Sequence, residues 1–310
     1  MRRFLSEIIF LLALLPALAA AGKLPTGVLE KKIDSLFVMA SAGELRYRDL
    51  VEPAIDSIAA LGAGAVPRLI EKYDTKDARE RLTINNILVE IGSPAVPVLT
   101  ASLTLTNPEQ VSRICYTLGE IKDSTAVEAL LESCGHGDWR VRSSAVGALG
   151  KIGDRRADRE IADRLADSDE MVRKSAAVAC GRIACEPSLA ALVHMLGDDF
   201  YGARWCAAEA LEKFGRRAVQ PIADSLDSDN IMLGDLGCVT LGKIGGDFAA
   251  TLLVGQLTSE SSRRRALAVR AIGESRSSLA CGAVEILAEI ETDPIVRYFI
   301  DEVLAQYAAR

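Results

Sequence analysis

Asp138-Trp139-Arg140-Val141-Arg142 and, seven residues further on, Leu149-Gly150-Lys151-Ile152-Gly153-Asp154 decide the fold, because the pattern they make returns along the chain. An acidic residue is followed four positions later by an arginine, then by a small-residue helix, then by Leu-Gly-x-Ile-Gly and a polar turn. Copies begin at Asp169-Glu170-Met171-Val172-Arg173, leading to Cys180-Gly181-Arg182-Ile183-Ala184, and recur at Leu241-Gly242-Lys243-Ile244-Gly245. Positions equivalent to Gly153 are Gly62, Gly92, Lys122, Ala184, Gly215, Gly245 and Arg276, at steps of 30 or 31 residues. So constant a period marks units that each bury one face against the next, as in a helical solenoid.

Each recurring residue type has a mechanical reason. Asp77, Asp138, Asp169 and Asp293 stand at expected helix starts, where a carboxylate accepts otherwise unpaired backbone N–H groups. Arg81, Arg142, Arg173 and Arg297 follow four residues later, on the same helix face. Arg204 and Arg265 hold that position in two more units, with the acidic partner displaced by one residue. Stacked, these residues are expected to form a structural ladder of hydrogen bonds within and between repeats. Alanine-rich middles such as Ala176-Ala177-Val178-Ala179 keep helix propensity high and allow close approach. The terminal glycines suit the left-handed residue that ends a helix, and Pro67 and Pro97 suit a first helical turn.

This spacing predicts first helices over 48–61, 78–91, 109–121, 139–152, 170–183, 202–214, 231–244 and 261–274, with a last one over 294–308. Second helices are predicted over 65–73, 94–104, 124–133, 156–166, 187–197, 217–226, 247–258 and 277–290. An amphipathic helix from Val28 to Met39, with Leu29, Ile33, Leu36 and Phe37 in register, is expected to cap the first repeat.

The Asp-x-x-x-Arg start, alanine-rich helix, Leu-Gly-x-Ile-Gly-Asp end and leucine-spaced second helix resemble the short HEAT-repeat family of bacterial and bilin-lyase-like type, over about residues 44–310. The resemblance implies an all-α fold, a right-handed alpha-alpha solenoid of HEAT-like repeats with a period of about 31 residues, its second helices lining the inner face. It also implies a binding scaffold or assembly module, with bilin lyases and iron-dependent hydroxylases as a minority. Fold similarity alone does not choose among these.

Two departures from the pattern stand out. Ile231-Met232-Leu233-Gly234 puts glycine where the ladder arginine is expected, with Asp235 after it; Gln110-Val111-Ser112-Arg113 shifts the basic residue by two, and Lys122-Asp123 replaces the terminal glycine.

The chain offers little for catalysis. Its two histidines are His136, in a Gly135-His136-Gly137 loop, and His194, in a second helix. Cys134 and His136 are two apart and do not face one another on a helix. Cys134, His136, Cys180 and Cys185 lack compact metal-ligand spacing, and no His-Glu dipeptide of the iron hydroxylases occurs. Gly62-Ala63-Gly64 and Gly245-Gly246 lack the strand-to-helix context and following Lys-Ser/Thr of a phosphate loop. No catalytic, cofactor-binding or metal-binding residue is therefore assigned, and no cofactor is expected.

Hydrophobic residues make up 49% of the chain but aromatics only 5%, which suits closely spaced helices packed through Ala, Leu, Val and Ile. A net charge of −7 argues against general nucleic-acid binding, which depends on neutralising phosphates. Arg2 and Arg3, the apolar run Ile8 to Leu15 and the Ala19-Ala20-Ala21-Gly22 site read as a signal peptide over 1–21, cleaved after Ala21. Residues 22–43 form a leader and capping helix, and 44–310 hold eight helix pairs plus a terminal helix. The expected location is periplasmic or secreted, with anchoring by an uncleaved N-terminal segment as the alternative and no membrane span after signal removal.

Seven cysteines leave at least one unpaired in an oxidising compartment. Cys115, Cys206, Cys238 and Cys281 read as buried small hydrophobes, and a Cys180–Cys185 bridge is left open. The leading functional reading is a non-enzymatic scaffold that binds a protein or peptide across the concave face. Glu128, Arg159, Asp163, His194 and Gln220, from solvent-face spacing on second helices, are the tentative partner-binding residues. The alternative is a bilin-lyase-like or other small-molecule enzyme with a pocket in the groove.

Overall fold

Alanine, leucine and unbranched charged side chains fill each repeat with strong helix formers, and most first helices open on a side chain that caps them. The computed structural model describes residues 26–309; among them every regular element is helical and there is no strand. The chain divides into two units, Met1–Asp154 and Arg155–Arg310. The first contains α1 (Thr26–Ala40), α2 (Val51–Ala59), α3 (Val66–Lys72), α4 (Ala78–Ile91), α5 (Val96–Ala101), α6 (Pro108–Ile121), α7 (Val127–Ser133) and α8 (Trp139–Ile152). The second contains α9 (Asp158–Asp163), α10 (Glu170–Ile183), α11 (Leu189–His194), α12 (Tyr201–Phe214), α13 (Arg216–Ala223), α14 (Ile231–Ile244), α15 (Gly246–Val254), α16 (Ser262–Ser275), α17 (Cys281–Ile290) and α18 (Pro294–Ala308).

Each unit is an all-α solenoid of helix pairs. First helices pack on first helices (α2 on α4, α4 on α6, α6 on α8; α10 on α12, α12 on α14, α14 on α16, α16 on α18), and second helices stack beside them. From residue 78 onward every first helix lies within one residue of its predicted span. Two predicted spans are corrected. Residues 45–50 form a 3-10 turn and the helix starts at Val51, where Pro53 sits in the first turn. Residues 277–280 are not α-helical: Ser277 Oγ donates to Asp247 Oδ1 (2.6 Å) and accepts the Leu279 N–H (3.2 Å), so side-chain bonds hold the turn until Cys281.

The repeat register shows in the backbone. Gly62, Gly92, Lys122, Gly153, Ala184, Gly215, Gly245 and Arg276 all have positive φ, and Gly246 is the one other described residue that does. Lys122 (60°), Ala184 (50°) and Arg276 (59°) hold it with a side chain, at a cost of about 1–2 kcal/mol each. Stacking of the flanking helices outweighs that local preference. The other glycine of Leu-Gly-x-Ile-Gly serves contact: a Cβ on Gly119 would lie 2.7 Å from Ala148 Cα, and one on Gly181 would lie 2.8 Å from Ala210 Cα.

The core runs between the two helix layers of each unit. Leu88, Leu118 and Leu149 in the first unit, and Leu192, Leu211 and Leu241 in the second, are fully buried, each contributing about 2 kcal/mol by leaving water. Helix α1 buries Ile33, Leu36, Phe37 and Ala40, and Arg68 and Lys72 of α3 each come within 2.7 Å of Asp34. The Arg68 bond, backed by Lys72, holds the Asp34 carboxyl down to about 2. All seven cysteines are free thiols, so Cys180 and Cys185 are not bridged. Six are buried; Cys281, expected in the core, is partly exposed at the start of α17. The signal-peptide reading falls outside the described residues. Among these, no single helix is long and apolar enough to cross a membrane.

Candidate partner-binding grooves

The turns leading into the first helices set the site geometry. The N–H groups of Arg79, Arg140, Met171 and Ile295 donate to Asp77, Asp138, Asp169 and Asp293 at 2.7–2.9 Å, so these aspartates are helix caps. The arginine four residues on grips main chain instead. Arg142, Arg173, Arg204, Arg265 and Arg297 donate to the carbonyls of His136, Asp167, Asp198, Ser259 and Glu291 at 2.5–3.0 Å. Arg81 does the same one residue nearer, on Lys76 O at 2.7 Å.

A third position, missed in the sequence reading, completes the device. In seven of the repeats the residue two before the N-cap position accepts that residue's own N–H with its side chain: Thr75, His136, Asp167, Asp198, Ser228, Ser259 and Glu291; Leu105, two before the Asn107 cap of α6, is an exception. His136 is thereby absorbed into the framework through Nδ1. Two of the acidic ones, Asp198 and Glu291, also tie neighbouring repeats together. Arg173 Nε and Nη2 reach Asp198 at 2.7 and 2.9 Å, and Arg265 Nε and Nη2 reach Glu291 at 2.6 and 3.0 Å. Burial works against the charged form of Asp198, but the Arg173 bond and the Phe200 N–H outweigh it and keep the carboxyl below its ordinary range. The Arg265 bond, with the N–H groups of Thr292 and Asp293, takes Glu291 down to about 2.

At Gly234 this rung is absent. A Cβ there would lie 2.2 Å from the Arg264 guanidinium, which has swung back from the next repeat into the space. Arg264 Nε donates to Asp235 Oδ1 (3.0 Å) and its Nη1 to Leu226 O (2.7 Å). Arg263 Nε lies 2.7 Å from Asp235 Oδ2 without hydrogen-bond alignment, so that contact is Coulombic. The shifted Arg113 likewise reaches back, to the carbonyls of Tyr73 and Thr75.

Above the rungs of the second unit, the second helices border three grooves. The first, about 910 Å³ between α9 and α11, is lined by Arg159, Asp163, Pro187, His194, Met195 and Asp199, with the Arg173–Asp198 rung at its edge. It brings together three of the five sequence-picked residues, Arg159, Asp163 and His194, all exposed. Gln220 lies in the second groove, about 710 Å³ between α13 and α15, with Asp224, Asp227, Asp235, Gln256 and Arg264. Glu128 is exposed in the first turn of α7, in the other unit, and lines none of the three grooves. The third groove, about 570 Å³ between α15 and α17, is largely aliphatic. Its residues carried no signal as a set, since Ile286 and Ile290 read as the apolar stripe of any second helix. Among the described residues no group of three or more His, Cys, Asp or Glu is placed to hold a metal ion.

A family model described as HEAT repeats matches residues 96–179 and 159–232. Importin beta is similar in structure, with a TM-score of 0.55 at 14% identity over 96% of this chain and 42% of that one. So is YibA of Escherichia coli, with a TM-score of 0.50 at 17% identity over 81% and 95%. Human deoxyhypusine hydroxylase aligns with a TM-score of 0.35 at 17% identity over 91% and 98%. No curated protein matches in sequence. The fold is a general HEAT-like repeat solenoid.

Proposed function

We propose that the chain is an exported, non-enzymatic scaffold that binds a segment of another protein along the second-helix face. The observation that carries this reading is the groove between α9 and α11, where the exposed Arg159, Asp163 and His194 converge on about 910 Å³ of open volume. Contact groups are spread over successive helices, as suits a long ligand held by many shallow interactions on a rigid stack. The rung side chains beneath are committed to capping and stacking, which leaves the residues above them to a partner. Export, to the periplasm or beyond, is supported by the positive start, apolar middle and small-residue site of residues 1–21.

Affinity capture from the exported fraction with the full chain, compared with the Arg159→Ala/Asp163→Ala/His194→Ala variant, tests the proposal. The native chain should enrich a partner that the variant loses while its unfolding midpoint stays unchanged. Equal recovery by the two chains would remove the α9–α11 face from the binding surface.

A further inference from the structure

We infer that the α13–α17 stretch of the second-helix face is a two-part site for an extended segment of a partner protein: an aliphatic anchor fills the groove between α15 and α17, and a lysine or arginine enters the neighbouring chamber between α13 and α15. This rests on the peptide-binding reading above and specifies its ligand.

The anchor groove is walled by Val254 and Leu257 on one side and by Ala283, Ile286, Leu287 and Ile290 on the other. Ile286 and Ile290 stand one helical turn apart and are 66% and 73% exposed, beside the buried Leu257 and Leu287. Paired exposed aliphatics continuous with a buried floor make a surface whose covering by apolar side chains is favourable.

Charge selects the occupant. On α17, Glu285 and Glu289 flank the two isoleucines and are exposed. The cations at this end are already committed: Arg265 to Glu291, and Arg297 to the Glu291 carbonyl at 2.7 Å. The chamber borders the groove through Thr258 and Ser259, which line both. It lies where the rung is missing, with Gly234 in place of the arginine, and Ser228 and Ser259 supply hydroxyls where Asp198 and Glu291 supply carboxylates elsewhere. Its one lining guanidinium, Arg264, and Arg263 outside the lining both face the buried Asp235, so the two arginines offset Asp235 and one further carboxylate. The remaining carboxylates, Asp224 and Asp227, are exposed and accept from the neutral amides of Gln220 (2.6 Å) and Gln256 (3.1 Å). An apolar anchor thus has Glu285 and Glu289 on its own helix and a chamber of net negative charge beside it, which attracts a cationic neighbour and repels an acidic one. Adjacent helices sit about 10 Å apart, so anchor and cation are about three residues apart in an extended segment rising roughly 3.3 Å per residue.

The test is fluorescence anisotropy on the full chain. The probe is a labelled synthetic peptide of about ten residues, with leucines at alternate positions and lysines starting about three residues later. Its twin carries glutamates for the lysines. The lysine peptide should bind at least about tenfold tighter than the twin. Ile286→Asp/Ile290→Asp should weaken it by about tenfold or more at an unchanged unfolding midpoint, and Asp224→Asn/Asp227→Asn should cut the discrimination between twins several-fold, with Glu285 and Glu289 keeping the remainder, while leaving leucine-dependent binding. Equal affinity for the twins, binding indifferent to the isoleucines, or no binding of either peptide overturns the inference. So does self-association in sedimentation that the isoleucine variant abolishes, because it gives the groove to a second copy. The wider reading is judged separately, by capture through the α9–α11 groove, and survives any of these results if that capture succeeds.

Discussion

The rung at Arg173 and the vacant one at Gly234 lie two repeats apart in the same unit and secure their junctions in opposite directions. Arg173 reaches forward, clamping the carbonyl of Asp167 and pairing with Asp198 of the next turn. At Gly234 the next repeat reaches backward, sending Arg264 into the space to meet Asp235. The difference teaches that where a cation bridges two repeats, either repeat can supply it. Where the supply is reversed, the turn loses its acidic side chain and a polar chamber opens beside an aliphatic groove. Regular rungs hold the stack, and the irregular one shapes a surface.

The largest effect should come from Arg264→Ala, which leaves Asp235, only 9% exposed along its side chain, facing an Arg263 that is largely in solvent. A loss of about 3 kcal/mol in urea denaturation is expected. Arg173→Ala removes charged bonds from a similarly buried partner, but one that keeps the Phe200 N–H, and should cost about 2 kcal/mol. The reverse order would mean that the backward rung is the weaker substitute. Acid denaturation sharpens the comparison next. Glu291 has its pKa depressed from 4.5 to about 2 in the folded state, so its contribution is present above the ordinary carboxylate range and is lost as pH falls from about 4.5 towards 2. Glu291→Gln should flatten the stability–pH curve in that window; an unchanged slope there would show that the Arg265 pairing does not bear on stability. Smallest is Ala184→Gly, which relieves a left-handed alanine (φ 50°) while loosening the unfolded chain, for a net gain of about 0.5 kcal/mol in thermal unfolding.

The period, the first helices and the eight left-handed termini were legible because stacking imposes them on every repeat, even on Lys122, Ala184 and Arg276. The turn acceptors were not, because the position asks at most for a hydrogen-bond acceptor, and Leu105 before the Asn107 cap does without one. Thr75, His136, Asp167, Ser228 and Glu291 all meet the requirement with no shared residue type. Solvent-face spacing along α9 and α11 was enough to bring Arg159, Asp163 and His194 into one groove, since facing second helices share a register. It placed Gln220 one chamber further and Glu128 in the other unit, because spacing along a helix says nothing about which neighbour closes over it. The vacancy at Gly234 was visible as a letter, but that Arg264 fills it depends on a side chain from the following repeat.

Among the seven thiols, Cys281 alone is not buried, and it stands at the head of the helix that carries Ile286 and Ile290. Burial and the nearby Glu285 raise its pKa, so it alkylates slowly at neutral pH and faster in mild base. The chain therefore carries a built-in attachment point for a dye or spin label about one helical turn from the aliphatic groove, and a label there would report occupancy of that groove without any engineered cysteine.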